Sequence, residues 1–286
     1  MPKPDTRPLV LFHKNCLDGR GSAAVVARFE GDCEFIAMQY GMAKPVVAER
    51  KVYMVDFGMS ADNMRAIRAE ATSIQWIDHH ASQQPVRDIL GWGVLDTSEC
   101  GTSLTWKTLF PHEPVPPVVQ YIKDKDLWRW ELDDSRAIAA GLEASFSDTA
   151  FLGILEADLT RMAEIGRPIL AKQREMVLAA AATGVALTDA FGLPGVRALA
   201  VRTRKLQNEL GEHIVLPPAA GGLGYDLAVL YYSRAKASWV HSLRSNAGGI
   251  DCAAIASKQG GGGHPTAASF VNPLPIVPLA LKQPEV

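Results

Sequence analysis

The sequence predicts an α/β protein built on a parallel β-sheet, and three observations carry the prediction. Apolar runs recur at residues 8–12, 52–55 and 73–77, and they are continuous rather than alternating. Strands buried on both faces of a parallel sheet need that pattern. Helix-length stretches separate the runs, which suits repeated βαβ units. Each run also delivers an acid or an imidazole at its C-terminal end: His13 and Asp18, then Asp56, then Asp78-His79-His80. In open α/β sheets that edge is where ligands bind.

Taken in order, residues 7–13 read as the first strand. A polar turn with Gly19 and Gly21 follows, then an Ala-rich helix start at residues 23–27. Residues 34–38 form a second strand and residues 51–56 a third. Ser60 caps a helix over residues 61–71, since its hydroxyl can accept from an orphan N–H of the first turn. The fourth strand, residues 73–78, ends on the Asp-His-His triplet, and residues 92–95 make a short fifth. A helix is predicted over residues 101–110. The proline-rich break at residues 111–117 starts another, because proline fits a first turn. That helix runs through Ile122 and ends in Lys123-Asp124-Lys125-Asp126-Leu127-Trp128-Arg129-Trp130. Residues 147 to about 183 read as helical and connect to a second region. Strands are expected there at residues 196–202, 227–232 and 237–243, with helices at 206–216 and 250–258. The run Gly260-Gly261-Gly262-Gly263-His264 leads into a last strand, and the proline-rich tail from Asn272 is expected to be peripheral.

Composition narrows the class. With 48% hydrophobic and 21% charged residues, the chain is an ordinary globular protein of one large or two ordinary domains. No apolar run approaches the roughly 18 residues a membrane helix needs, and the first is too quickly interrupted for a secretory signal. Cys16, Cys33, Cys100 and Cys252 form no C-x-x-C pair, which suits a reducing cytoplasm. The net charge of −2 divides into −7 over residues 1–159 and +5 over residues 160–286. An acidic half suits bound cations and a basic half suits a phosphate-bearing substrate. The positive field is too weak for sustained duplex binding.

The candidate ligands are His13, Asp18, Asp56, Asp78, His79, His80, Asp124 and Asp126. Carboxylates mixed with imidazoles suit Mn²⁺, Zn²⁺ or Fe²⁺ better than Ca²⁺. Two cations about 3.5–4 Å apart could clamp a phosphoryl group and activate a water. Each acid alone has an ordinary role as a helix cap or solvated end, so the case rests on recurrence at one sheet edge. Trp128 and Trp130 read as packing residues. Consecutive glycines leave N–H groups free to form an anion nest, and a helix starting after them would add its dipole. Arg244 could supply a bidentate phosphate contact.

These motifs, His13-x-x-Cys16-x-Asp18-Gly19, Asp56 in Val-Asp-Phe-Gly, Asp78-His79-His80, Asp124-Lys-Asp126-Leu-Trp and residues 260–268, occur in the order seen in DHH phosphoesterases. The chain resembles the branch carrying the DHH-associated C-terminal domain, over residues 7–271. The resemblance implies a bilobal α/β fold. A metal-binding catalytic domain would occupy residues 1–146, a helical linker 147–189, and a smaller substrate-binding domain 190–275, with the active site in the cleft. It implies two metals, usually Mn²⁺, with Mg²⁺, Zn²⁺ or Fe²⁺ open. His13 and Asp18 would bind metal, Asp56 would bridge both ions, and His79 would bind the second. Asp124 or Asp126 would complete that second site, with Asp124 favoured. Asp78 would orient an imidazole, and His80 would face the scissile phosphate. Gly261, Gly262, Gly263, His264 and Arg244 would hold the substrate's phosphate or terminal nucleotide. Many relatives carry a second carboxylate where this chain has Cys16, which leaves one metal site open to a softer ion.

The expected activity is hydrolysis of phosphate esters in short nucleotides, oligoribonucleotides or dinucleotides, by a metal-activated hydroxide. Adenosine 3′,5′-bisphosphate is an alternative substrate, and a nucleotide sensor without turnover is an alternative role. No membrane partner is expected, and a homodimer is one option that the sequence leaves open.

Overall fold

The computed structural model describes residues 6–235 and 238–276. The chain divides into two compact units, Met1–Leu170 and Ala171–Val286.

The first unit opens with β1 (Leu9–His13), α1 (Leu17–Glu30), β2 (Glu34–Met38), β3 (Lys51–Val55), α2 (Ala61–Glu70) and β4 (Ser73–Asp78). It continues with α3 (Gln84–Leu90), β5 (Val94–Leu95), α4 (Gly101–Leu109), α5 (Pro117–Asp126) and α6 (Ser135–Ser145). The five strands are all parallel, in the order β2-β1-β3-β4-β5. Alternate residues of each central strand enter different cores. Val10, Phe12, Tyr53, Val55 and Ile77 pack with α1, α4 and α5, while Leu9, Leu11, Val52, Met54 and Trp76 pack on the opposite face with Met64 and Ile67. Burial on both faces is why these runs are continuously apolar, and each large side chain contributes about 1.5–3 kcal/mol. The chain leaves β1 for β2 on one side and returns to β3 on the other, so the topological switch lies between β1 and β3. Its carboxyl edge is the crevice such sheets reserve for ligands.

Three features differ from the sequence expectation. α5 extends to Asp126, so Asp124 and Asp126 both lie in its last turn. α6 was not expected. It is rich in small residues, and Gly141 lies where a Cβ would come within 2.0 Å of the Met162 carbonyl oxygen. Close helix contact through small residues leaves little of the bulky apolar periodicity by which a helix is recognised. The stretch from residue 147 is not helical throughout: a Ser147–Ala150 bridge and a 3₁₀ turn at Leu152–Glu156 precede α7 (Leu159–Ala182).

The second unit contains β6 (Val185–Leu187), β7 (Ala198–Arg202), α8 (Gln207–Val215), β8 (Leu227–Ala235), β9 (Ser238–Arg244), α9 (Cys252–Lys258), β10 (Gly262–His264) and β11 (Ala267–Asn272). Its mixed sheet runs β10-β11-β9-β8-β7-β6, with β7 and β8 the parallel pair. It too is buried on both faces, Ala200, Val229 and Tyr231 on one and Val201, Ala228 and Leu230 on the other. The glycine run follows α9 and enters a β-hairpin, as the expected helix at 250–258 and the expected last strand imply, so among the described residues no helix N-terminus adds its dipole there. Part of the expected strand at 237–243 and of the proline-rich tail, residues 237 and 277–286, lies outside the described residues. Among the described residues no helix is long and apolar enough to cross a membrane.

Candidate metal centre

Parallel strands that end at one edge bring their terminal residues together, and here they converge on Asp56. This residue follows β3 in the left-handed region, at φ 52°, and donates its backbone N–H to Ile77 O at 3.0 Å. A non-glycine residue held there is strained, a condition that clusters at functional sites. Its side chain is fully buried, and neither carboxylate oxygen has a hydrogen-bond partner among the described residues. On one side His13 Nδ1 lies 3.6 Å from Asp56 Oδ2, and His80 Nδ1 lies 3.9 Å from Oδ1. On the other, His79 Nε2 lies 3.1 Å from Asp56 Oδ1, 3.5 Å from Asp18 Oδ2 and 3.6 Å from Asp126 Oδ2. Two groups of potential ligand atoms, His13-Asp56-His80 and Asp18-Asp56-His79, therefore share Asp56.

The surroundings hold these side chains in place. Asp78 Oδ1 accepts from the backbone N–H groups of His79 and His80 at 2.7 and 3.2 Å and lies 2.7 Å from His80 Nδ1. Asp18 docks on the start of α4, accepting from Gly101 N–H at 2.5 Å and Thr102 N–H at 2.7 Å. Gly19 is obligatory beside it, since a Cβ there would stand 2.2 Å from the His13 carbonyl oxygen. Gly101 leaves the space that Asp56 and Asp18 occupy: a Cβ would come within 2.6 Å of Asp56 Cβ and 3.0 Å of Asp18 Oδ2. Sequence reasoning missed Gly101 and Thr102 as site residues. Their only signal, Cys100-Gly101-Thr102-Ser103, marks a helix start, which indeed carries a capping box at Cys100 and Ser103.

Protonation reflects the crowding of charge. Burial, then Asp56 and Asp126, push the Asp18 carboxyl up to about 8. Burial and Asp56 likewise raise Asp126. Burial would raise Asp56 and lower His79. The contacts of Asp56 with His13 and His79 instead hold its carboxyl well below the usual range, and Asp56, Asp18 and Asp126 raise His79 to about 10. Protons here do the work a cation would do, neutralising acids that otherwise repel. The bare oxygens of Asp56 and the mixed carboxylate–imidazole donors fit one or two divalent ions of the Mn²⁺ or Zn²⁺ type.

The structure separates the two acids of α5. Asp126 reaches the cluster. Asp124 is buried elsewhere, accepting from Glu131 N–H at 2.9 Å and Ser135 Oγ–H at 2.5 Å. Residues two apart on a helix point about 200° apart, so one helix end cannot aim both at the same ion. Cys16 caps α1 beside the cluster but joins neither ligand group, and burial raises its thiol pKa. In the second unit, Arg244 of β9 pairs with Ala267 of β11, which pairs with His264 of β10. Arg244 and His264 thus share one row across the sheet, two strand spacings or roughly 10 Å apart. The Arg244 guanidinium donates to Asn208 Oδ1 at 2.7 Å through Nη2, and its stem fills the space beside Gly211.

What these features define is an open parallel-sheet unit whose switch-point edge gathers acids and imidazoles that could hold a metal ion. The fold is that of DHH-domain proteins. The chain superposes on the DHH domain of a member of the s1p family of ribosomal proteins with a TM-score of 0.61 at 14% identity, covering 93% of this chain and 82% of that one. A pGpG-specific phosphodiesterase from Vibrio cholerae gives 0.53 at 13% identity, with 93% of both chains covered. RecJ from Thermus thermophilus in complex with Mn²⁺ gives 0.53 at 13% identity, covering 93% of this chain and 49% of that one. By sequence, an uncharacterized protein of Acanthamoeba polyphaga mimivirus is 23% identical, over 93% of this chain and 68% of that protein. No family model matches the chain.

Proposed function

We propose that this protein is a divalent-metal-dependent phosphoesterase of the DHH type that hydrolyses phosphate esters of short nucleotides. The observation that carries the reading is the buried carboxylate of Asp56, which has no hydrogen-bond partner among the described residues and is flanked by His13 and His80 on one side and by Asp18, His79 and Asp126 on the other. Removing a carboxylate from water costs several kcal/mol; imidazole contacts offset part of that here, and flanking ions would supply the bonds that both oxygens lack. Two proteins of the same fold, a pGpG-specific phosphodiesterase and RecJ in complex with Mn²⁺, support the same class.

In this reading Asp56 bridges the two sites, and Asp126 rather than Asp124 completes the second. Asp78 orients the triplet through three hydrogen bonds to Oδ1. When bound, the metal ions polarise the phosphoryl group and lower the pKa of a water. His80 lies at the solvent side of the cluster, 29% exposed in its side chain. It is placed either to complete the His13 site or to hold a phosphoryl oxygen. Arg244 and the hairpin of Gly261, Gly262, Gly263 and His264 bind phosphate in the second unit.

The test is a hydrolysis panel with Mn²⁺ over linear dinucleotides, short RNA, cyclic dinucleotides and adenosine 3′,5′-bisphosphate. Turnover of at least one is expected, and Asp56→Ala should abolish it. Equal turnover by Asp56→Ala would sink the reading, and tight binding without turnover would point to a sensor.

A further inference from the structure

The segment that leaves Asp126 has a second unusual feature. Trp128 and Trp130 both sit in the left-handed region, at φ 55° and 59°. For a bulky side chain that conformation is costly and survives only where the surroundings impose it. The consequence is that the two indoles meet edge to face, with centroids 5.0 Å apart and planes at 74°. The Arg136 guanidinium from α6 lies over both, 4.4 Å from the Trp130 ring centre and 5.9 Å from that of Trp128. Packing alone would hide such a cluster, yet Trp128 is 37% exposed. Trp130 also borders an open cavity of about 470 Å³, with Leu132, Ser135, Arg136, Arg167 and Leu170 on its walls. Its indole Nε1–H is buried without a hydrogen-bond partner among the described residues.

From these observations we infer that Trp128, Trp130 and Arg136 form a nucleobase-stacking subsite beside the metal centre, for the nucleotide next to the scissile phosphate. An exposed indole held rigid by a stacked guanidinium is the surface on which a base of any sequence packs. Arg167 and Asp134, ion-paired at 2.7 Å, both line the same cavity, which leaves Arg136 as the cation next to the indoles. The cavity volume is within the range of small-molecule sites. A single residue, Leu127, separates Trp128 from Asp126, a reach of at most about 7 Å between their Cα atoms. A base joined through its ribose to a phosphate at the metal centre covers a comparable distance. The inference rests on the proposed phosphoesterase reading and sharpens it, because a substrate engaging this surface must carry a base adjoining the bond that is cut.

The experiment compares wild type with Trp128→Ala and Trp128→Phe. It measures binding of the dinucleotide pApA by calorimetry with Mn²⁺, Mn²⁺ affinity alone, and kcat and KM for pApA and for a phosphate ester without a nucleobase. Trp128→Ala should weaken pApA binding and raise its KM about tenfold or more, the loss expected for one base–aromatic stack. Mn²⁺ affinity and kcat/KM for the base-free ester should stay within twofold, and Trp128→Phe should restore most of the binding. Unchanged pApA binding in Trp128→Ala overturns the subsite, even if hydrolysis is intact. Trp128-dependent binding with no hydrolysis of any substrate would keep the subsite and overturn the phosphoesterase reading.

Discussion

Two acidic regions of the first unit, both reached from α4 and α5, solve the burial of charge in opposite ways. At one, Glu99 is ion-paired with Lys107 and Lys123, each at 2.7 Å, and accepts from Ser103 Oγ–H at 2.7 Å. Asp124 close by has a partner for each oxygen. At the other, Asp56 accepts no hydrogen bond among the described residues, and its neighbours are further acids and imidazoles. The first arrangement is complete and stabilises the fold. The second leaves the Asp56 oxygens without hydrogen bonds among the described residues, and the proposed metal centre accounts for that. Burial of acid does not by itself distinguish structure from function. The partners do.

The largest effect expected from this contrast falls on Asp56. Asp56→Ala should lower turnover on the order of 10³-fold or more, the equivalent of losing several kcal/mol of transition-state stabilisation. It should also remove any rise in melting temperature on adding Mn²⁺, which depends on binding to the folded state. Next come the paired acids of α5. Asp126→Asn should weaken Mn²⁺ binding by calorimetry about 10- to 100-fold and leave chemical stability nearly unchanged. Asp124→Asn should do the reverse, costing about 1–3 kcal/mol in denaturant unfolding through lost charge-assisted hydrogen bonds while Mn²⁺ affinity is kept. If Asp124→Asn instead abolishes metal binding, the separation of roles at the end of α5 is wrong.

A pair of histidines extends the comparison between the two units. His79 is raised to about 10 by the acids around it, although burial alone would lower it. His241 is lowered to about 4 by burial, stacked between Tyr231 and Phe270. His241 is therefore neutral in the fold and protonates on unfolding below its ordinary value of 6.5. The unfolded state then holds the extra proton, so stability falls as pH drops from 6.5 and levels off below about 4. The loss amounts to about 3 kcal/mol over that window. His241→Phe should flatten this part of the profile in urea unfolding, and an unchanged profile would remove His241 as its source. Glu99, held at about 2 against the burial that would raise it by Lys107, Lys123 and Ser103, gives the smallest effect. Its stabilisation is full above 4.5 and is lost as pH falls toward 2, a slope that Glu99→Gln should remove.

The parallel sheet was legible because burial on both faces writes itself into composition: residues 9–12, 52–55 and 76–77 are apolar without interruption. The strand-end acids were legible because parallel topology collects strand ends. α6 was not, since its packing depends on small residues whose periodicity is faint. The choice between Asp124 and Asp126 turned on where α5 ends, a matter of one helical turn that a proline start and an apolar run do not fix. Gly101 was invisible because its role lies in the space it leaves for Asp18 and Asp56, side chains more than 40 residues away. The order of helix, glycine run and strand was legible too, since the apolar stretch before the glycines and the small and apolar residues after them differ in pattern.

The claim at the centre of this account is that Asp56 joins two cation sites at the β1–β3 switch point. Calorimetric titration of the metal-free protein with Mn²⁺, in wild type and Asp56→Ala, tests it most directly. Close to two ions bound per chain are expected in wild type, with loss of both high-affinity sites in the variant. Two ions bound with unchanged affinity by Asp56→Ala would contradict it.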